Sequence, residues 1–164
     1  MNSKYHIIEF KSIDSTNTFL KRHYNEYKEF TVCVAEEQTN GKGRIGRTWF
    51  SSKDNIALSI LLKPQNLENI SNISLVAGAS VYNTLKEYVN CSIKWPNDIL
   101  IKDKKICGIL LESISSSRID ALVIGIGLNV NQVEFDEEIK NKATSLKREL
   151  NMDFNKDEII KKFI

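Results

Sequence analysis

Glycines, histidines, cysteines and long apolar runs are all scarce in this sequence, and each shortage excludes a class of protein. Average usage would supply about 11 or 12 glycines in a chain of this length. The 164 residues contain seven, and no linker rich in Pro, Gly or Ser divides them. The longest apolar run, at 121–128, is far shorter than the ~20 residues that span a bilayer. Residues 1–11 lack the apolar segment of a secretory signal, so we expect no membrane partner.

The three cysteines and two histidines are too scattered for a disulfide framework or a zinc cluster. Cys33, Cys91 and Cys107 are odd in number and widely spaced, which is typical of buried thiols in a reducing cytosol. We therefore predict a cytoplasmic protein and no metal site built from side chains.

Charge is nearly balanced, because 23 Lys and Arg residues oppose 21 Asp and Glu residues to leave a net charge of +2. Such a chain has no strong basic field to attract nucleic acid, so we expect no nucleic-acid partner. Hydrophobic residues at 41% and charged residues at 27% are ordinary values for a globular domain. The length predicts a single domain, residues 1–164.

Helical and strand patterns are interspersed along the chain, which predicts an α+β fold. Helical spacing is clearest at 73–88, a helix should follow an N-cap at Asp14 or Ser15, and short helices are expected around 137–150 and from Lys156 onward. Strands are predicted at 31–35, 55–62, 92–95, 99–102, 106–113 and 121–130. Polar turns at 103–105 and 115–118 join consecutive strands. We therefore expect a mixed, largely antiparallel sheet with helices packed on it.

Three of the seven glycines and two of the five arginines fall within residues 41–47, Gly-Lys-Gly-Arg-Ile-Gly-Arg. The segment matches the dinucleotide-binding pattern G-x-G-x-x-G, but a loop and a strand follow it where that motif requires a helix. A P-loop is excluded because no Gly-Lys-Ser/Thr ends the segment. The glycines would still let the backbone approach an anionic ligand, beside Lys42, Arg44 and Arg47. The alternative is a surface hairpin tip with solvated charges.

A second polar segment, Lys94-Trp95-Pro96-Asn97-Asp98, lies between two predicted strands. Pro96 fixes its own φ and pushes Trp95 toward extended geometry, and Asn97-Asp98 suits a turn. Lys94 is therefore a cation beside a rigid turn, which suits the orientation of a carboxylate against a phosphate. The alternative is a hairpin corner with a packed tryptophan.

Six motifs taken together make the sequence resemble the catalytic domain of biotin protein ligases, the biotin–[acetyl-CoA-carboxylase] ligases. The motifs are DSTN at 14–17, AEEQ at 35–38, GKGRIGRTWFS at 41–51, KWPND at 94–98, GILLE at 108–112 and GIGLNVN at 125–131. Each is weak alone, but their order and spacing through nearly the whole chain are specific. The resemblance implies the α+β fold of the biotin/lipoate ligase catalytic domain.

The resemblance also implies an activity. The family activates biotin with ATP and Mg²⁺ to form biotinyl-5′-adenylate. It then passes the biotinyl group to one lysine of a biotin carboxyl carrier protein. Two alternatives are a lipoate or octanoate ligase or transferase, and a non-catalytic biotin-binding module. The Arg-Arg-x-Ser-Gly-Gly stretch usual in lipoate enzymes is absent, and residues 41–47 stand in its place.

Site residues follow from the same resemblance. Biotin would be bound by Ser15, Thr16, Asn17, Gln38, Lys42, Gly43, Arg44, Lys94, Gly108 and Leu110. ATP and the adenylate would be bound by Arg44, Arg47, Trp49, Asn129 and Asn131. The catalytic residues would be Lys94, near the biotin carboxylate and the α-phosphate, and Arg44. Each assignment has a structural alternative. The residues at the start of the helix could simply cap it, the tryptophan could pack in the core, and the two asparagines could form hydrogen bonds with the backbone only.

Two departures from the family pattern affect what the resemblance implies. Lys42 and Ile45 stand where the family often has arginine, which would weaken retention of the adenylate. No DNA-binding helix-turn-helix precedes Tyr5, so we expect no repressor function. The small C-terminal β-barrel domain common in the family is missing after Ile164, so carrier transfer or nucleotide binding could be impaired. Exposed sheet edges would allow a homodimer, which the sequence does not decide.

Overall fold

Seven strands form one mixed sheet in the computed structural model, which describes residues 5–65, 70–117 and 119–164. They are β1 (His6–Ile13), β2 (Thr31–Gln38), β3 (Ile56–Leu62), β4 (Ser92–Lys94), β5 (Asp98–Ile101), β6 (Lys104–Ser115) and β7 (Ile119–Leu128). Their order is β1-β2-β3-β7-β6-β5-β4, and among these neighbours β1 and β2 alone run parallel. The predicted α+β fold with a largely antiparallel sheet is confirmed.

Four helices are described, α1 (Thr16–His23), α2 (Ile70–Leu85), α3 (Leu146–Leu150) and α4 (Lys156–Phe163). Because successive strand residues point to opposite faces, β2 sends Val32 to the core shared with α2 and α4, and Cys33 to the cluster around α1. The sheet therefore lies between α1 on one face and α2 with α4 on the other. Within the described ranges, none of the helices combines the length and apolarity needed to cross a membrane.

Several element boundaries differ from the sequence predictions. Strand β1 was not predicted, because it contains no fully buried residue and so shows no clear apolar alternation. The helix predicted around 137–150 is wrong over its first part, since 137–142 form turns and α3 starts only after its N-cap, Ser145. Tyr24 and Tyr27 pack against the α1 cluster from beyond the end of that helix.

The turn between β5 and β6 also differs, and this difference affects the site. The turn consists of Lys102 and Asp103, whose φ values of 47° and 67° give the left-handed geometry of tight hairpins. Placing Lys104 and Lys105 in that turn was therefore wrong, because both belong to β6. The second predicted turn is shorter than expected, since β6 runs to Ser115, and Arg118 lies outside the described residues.

Candidate functional site

Small residues at the centre of the sheet create a hollow on the face covered by α1. Strand β7 alternates isoleucine with Gly125 and Gly127, so its large side chains enter the core while its glycines face the hollow. The strand register places Gly127 between Ala57 of β3 and Gly108 of β6, and Gly125 beside Ser59. A floor nearly free of side chains is the result, and it lets other groups approach the backbone closely.

A small cavity of about 50 Å³, with a mixed apolar and polar lining, lies over this floor at the N-terminal end of α1. It is called the polar cavity below, after the polar side chains that form one of its walls. Of the ten residues predicted to bind biotin, every one except Lys94 lines it. The lining residues that had been predicted are Ser15, Thr16, Asn17, Gln38, Lys42, Gly43, Arg44, Gly108 and Leu110 for biotin, and Trp49 for the nucleotide. The cavity therefore brings together residues from α1, from β2, from β6 and from residues 41–47, which are called the glycine-arginine segment below.

Buried hydrogen bonds hold the polar wall of this cavity in place. The main-chain N–H of Thr16 donates to Gln38 Oε1 at 2.8 Å, and Thr16 Oγ1 lies 3.0 Å from the same oxygen. Ser59 Oγ lies 2.7 Å from Thr16 Oγ1 and 2.5 Å from Asn17 Oδ1. Ser15 caps α1 by accepting the N–H of Thr18, which confirms the capping interpretation. It also lines the cavity, and its contact with a ligand stays a prediction.

An ion pair between Lys21 and Glu112 holds Asn17, one of the residues that line the cavity. Asn17 Nδ2 donates to Glu112 Oε2 at 2.9 Å, and Lys21 Nζ donates to Glu112 Oε1 at 2.6 Å. Burial alone would raise the pKa of the Glu112 carboxyl, but the hydrogen bonds from Lys21 and Asn17 outweigh burial and hold that pKa below its usual value. Glu112 is therefore ionised at neutral pH.

A second cavity of about 370 Å³ adjoins the first, and its volume is in the range usual for small-molecule sites. Arg47, Lys94 and Asn129 line it, as does Trp49. Its basic lining residues are Arg47, Lys94, Lys105 and Lys142. These four cations outnumber the two lining carboxylates, Asp98 and Asp103, and the positive balance suits an anionic ligand such as a phosphate chain.

Trp49 and Lys105 line both cavities and so form the boundary between them. Lys105 Nζ pairs with Asp98 Oδ1 at 2.7 Å and lies 5.4 Å from the centroid of the Trp49 ring. The indole packs so closely on Gly127 that a Cβ there would overlap it. The small residues of the floor thus accommodate this tryptophan.

The glycine-arginine segment is a hairpin that forms one rim of the polar cavity. A 3₁₀ turn, Arg44–Gly46, forms its tip, and the Gly43 N–H donates to the Arg47 carbonyl at 2.7 Å. Arg44 Nη1 donates to Asn97 Oδ1 at 2.9 Å, which links this segment to the one that follows β4. Ile45 is 91% exposed and has a φ of 55°, which is unfavourable for a β-branched residue. The hairpin-tip interpretation is therefore confirmed, whereas contact between this hairpin and a ligand stays a prediction.

Comparison with known proteins identifies the family. The model of the biotin/lipoate A/B protein ligase family matches residues 9–129. The chain belongs to this family. The bifunctional ligase/repressor BirA of Bacillus subtilis is 39% identical over 149 residues, which are 86% of this chain and 46% of BirA. The biotin–[acetyl-CoA-carboxylase] ligase of Paracoccus denitrificans is 38% identical over 71% of this chain and 51% of its own length.

A solved structure shows the same fold. The biotin protein ligase from Aquifex aeolicus, in complex with biotin and ATP, superposes with a TM-score of 0.86 at 40% identity. The match covers 96% of this chain and 66% of that protein. The chain spans about half the length of the curated relatives it matches.

One residue of this biotin/lipoate ligase family member escaped the sequence analysis. Lys105 lies where the two cavities meet, whereas Lys94 is exposed at the end of β4 and lines only the larger cavity. Lys105 was missed because it was placed in the polar turn. The pair Lys102-Asp103 between two strand-like runs was the available signal, because two-residue turns are the commonest hairpin connections.

The two asparagines predicted to face the nucleotide have different surroundings. Asn129 lines the larger cavity and donates through Nδ2 to the Thr144 carbonyl at 3.0 Å. Asn131 lines neither cavity, and its carboxamide pairs with the N–H and the carbonyl of Phe154, each at 2.9 Å. The structure therefore does not bring Asn131 to the site, and its side chain fastens two segments of backbone together.

Proposed function

We propose that this chain is the catalytic domain of a biotin ligase. It would activate biotin with ATP to form biotinyl-5′-adenylate and transfer the biotinyl group to a lysine of a biotin carboxyl carrier protein. The observation that carries this proposal is the position of Lys105 and Trp49 between the small polar cavity and a larger, more basic one. Similarity to a structure that contains both biotin and ATP supports it.

The polar cavity suits the ureido ring of biotin, which needs both hydrogen-bond donors and acceptors. Gln38 Oε1 is engaged by Thr16, so its Nε2 is the group left to donate. The Ser15 hydroxyl accepts from α1 and keeps its proton for donation to a ligand. The ureido carbonyl can accept hydrogen bonds from these two groups, while the ureido N–H groups can donate to oxygen atoms on the same wall of the cavity.

The first step requires a carboxylate to attack the α-phosphorus of ATP, with pyrophosphate as the leaving group. No general base is needed, because a carboxylate is already ionised at neutral pH. The obstacle is the approach of like charges, which cations fixed in place can screen. Lys105 at the boundary between the cavities and Arg44 on the rim would serve this purpose, with Lys94 and Arg47 facing the phosphates.

In the second step, the amine of the carrier lysine attacks the acyl carbon of the adenylate and AMP leaves. Within the described ranges, no three His, Cys, Asp or Glu side chains gather into a metal-binding group. The residues that the structure describes therefore offer no such cluster to hold a Mg²⁺ ion by themselves, and no step is assigned to one. An ion carried on the ATP phosphates is the usual arrangement for Mg²⁺.

Biotin-dependent exchange of pyrophosphate into ATP tests the proposal, with lipoate and octanoate as competing acids. Of the three acids, we expect only biotin to support the exchange. A carrier protein should then become biotinylated when it is supplied. A preference for lipoate would overturn the choice of substrate. Biotin binding without exchange would instead identify a non-catalytic module. The cytoplasmic location and the homodimer stay predictions, the latter open to sedimentation analysis.

A further inference from the structure

Three of the four basic residues that line the larger cavity form no ion pair with any residue that the structure describes. They are Arg47, Lys94 and Lys142, whereas Lys105 pairs with a carboxylate. Unpaired cations around one cavity repel one another, and an anion bound between them relieves that repulsion. Arg47 and Lys94 lie in motifs that the sequence analysis assigned to a site, but Lys142 lies in none of them.

The main chain at Lys142 is fastened to the strand that carries Lys105. The Lys105 N–H donates to the Lys142 carbonyl at 2.7 Å, and the Thr144 N–H donates to the Lys105 carbonyl at 2.9 Å. Ala143, which lies between these two bonds, pairs with Lys105 in a parallel bridge. Ala143 and Thr144 are buried, which shields the bonds from water. The backbone of Lys142 is therefore fixed beside Lys105, and its flexible four-carbon stem is left to move.

The chemistry of the first step supplies a ligand for this cation. The biotin carboxylate forms a bond to the α-phosphorus, the bond from that phosphorus to the bridging oxygen breaks, and pyrophosphate leaves with the electron pair. The attacking and leaving oxygens lie roughly in line, on opposite sides of the phosphorus. Lys142 lines the larger cavity but not the polar cavity, where biotin is proposed to bind. A carboxylate that attacks from the polar cavity therefore directs the leaving group into the larger one.

We propose that Lys142 binds the pyrophosphate leaving group, which is the β- and γ-phosphates of bound ATP. This inference rests on the proposed function, and it adds a residue from the segment between β7 and α3. Lys142 stabilises the negative charge that develops on the leaving oxygen, while Lys105 remains at the boundary between the cavities. Because the backbones of the two lysines are hydrogen-bonded to each other, both cations keep their places relative to the same phosphate chain.

The variant Lys142→Met tests this inference, because it removes the charge and keeps a long unbranched side chain. We expect the affinity of the ligand-free protein for inorganic pyrophosphate, measured by calorimetry, to fall roughly tenfold, as for one lost hydrogen bond to a charged group. The KM for ATP in biotin-dependent exchange should rise by a similar factor. Affinities for biotin and for AMP should stay close to wild type, because neither ligand contains the leaving group. The melting temperature should also change little, since Lys142 is exposed.

Two further variants separate a specific contact from a general loss of charge. Lys142→Arg keeps the cation and should keep most of the affinity for pyrophosphate. Lys140→Met is the matched control, because Lys140 lies two residues away, pairs with Glu137 at 2.6 Å and lines neither cavity. It removes the same formal charge as Lys142→Met does, and it should bind pyrophosphate as the wild type does.

Failure of this inference and failure of the proposed function give different results. If the wild type shows no biotin-dependent exchange, the proposed function fails, and pyrophosphate binding to the ligand-free protein still judges Lys142. The inference is overturned if the wild type does not bind pyrophosphate, or if Lys142→Met binds it equally well. An equal loss of affinity for AMP would also overturn it, because Lys142 would then contact the α-phosphate. An equal loss in Lys140→Met would show an effect of net charge only and would overturn it as well.

Discussion

Lys105 Nζ lies 2.7 Å from Asp98 Oδ1 at the boundary between the two cavities of this protein. The register of β5 with β6 sets this pair, and the Trp49 ring packs against the lysine. An anionic ligand could take the place of the carboxylate, since paired surface charges contribute only about 0–1 kcal/mol. The ion pair thus holds the lysine at the boundary between the cavities, and breaking it would cost little stability.

We expect Lys105→Ala to lower biotin-dependent pyrophosphate exchange by roughly 100-fold or more, the usual loss when one preorganised donor is removed. The melting temperature should change little, because the ion pair is partly exposed. Lys94→Ala should have a smaller effect, mainly a higher KM for ATP, since Lys94 lines only the larger cavity. Loss of exchange in Lys94→Ala together with full activity in Lys105→Ala would contradict this assignment.

Gly127→Ala should displace Trp49, because the new Cβ would overlap the indole. We expect a loss of about 1–3 kcal/mol in the free energy of unfolding, as for other overpacked sites, together with a higher KM for ATP. Gly78→Ala is the control, since a Cβ there would meet only the Ile109 side chain at 3.9 Å. In a helix that change should be neutral or stabilising by up to about 1 kcal/mol. Denaturant unfolding of both variants checks the contrast.

Arg44→Gly should shorten the lifetime of bound biotinyl-adenylate, because it removes the link from the rim hairpin to Asn97. We expect release to accelerate roughly tenfold, consistent with ~1.5 kcal/mol for a hydrogen bond to a charged group. Rapid-mixing measurements of adenylate release give the rate. Ile45→Gly, in the same hairpin, removes an exposed side chain at positive φ, and it should leave release unchanged. Equal rates for Arg44→Gly and wild type would contradict the role of Arg44.

Glu112 should make stability depend on acid pH. Burial opposes ionisation, but the hydrogen bonds from Lys21 and Asn17 prevail and lower its pKa in the folded state. The stability it contributes is therefore fully present above the unfolded pKa of about 4.3, and is lost as pH falls through the lowered folded value. The difference in unfolding free energy between wild type and Glu112→Gln should be constant above about pH 5 and shrink below it. A difference that grows on acidification would have the wrong sign.

Local pattern predicted much of the fold, because apolar alternation and helical spacing reflect burial directly. Strands β3 and β7 and helix α2 were found in this way, with small errors at their ends. The pattern failed for β1, which has no fully buried residue, and for the residues before α3, which form turns. Hydrogen bonds with a neighbouring strand define β1, and the sequence carries no sign of that neighbour.

The site was predicted less completely than the fold. Of the ten residues that the motifs assigned to biotin, the polar cavity brings together all but Lys94. The motifs missed Lys105, because a shift of the hairpin turn by one or two residues moves a lysine from a loop onto a strand. They included Asn131, because a motif does not reveal that its carboxamide is occupied by the backbone of Phe154.

The sequence by itself showed that the chain has only seven glycines, and that most of them lie in motifs predicted to face a ligand. It also determined the alternation of large apolar residues with glycine along β7. Only the tertiary structure decided that Gly108 and Gly127 are neighbours, that Trp49 packs on them, and that Lys105 joins the two cavities. The reason is physical: alternation is a property of one strand, whereas a cavity depends on register between strands far apart in the chain.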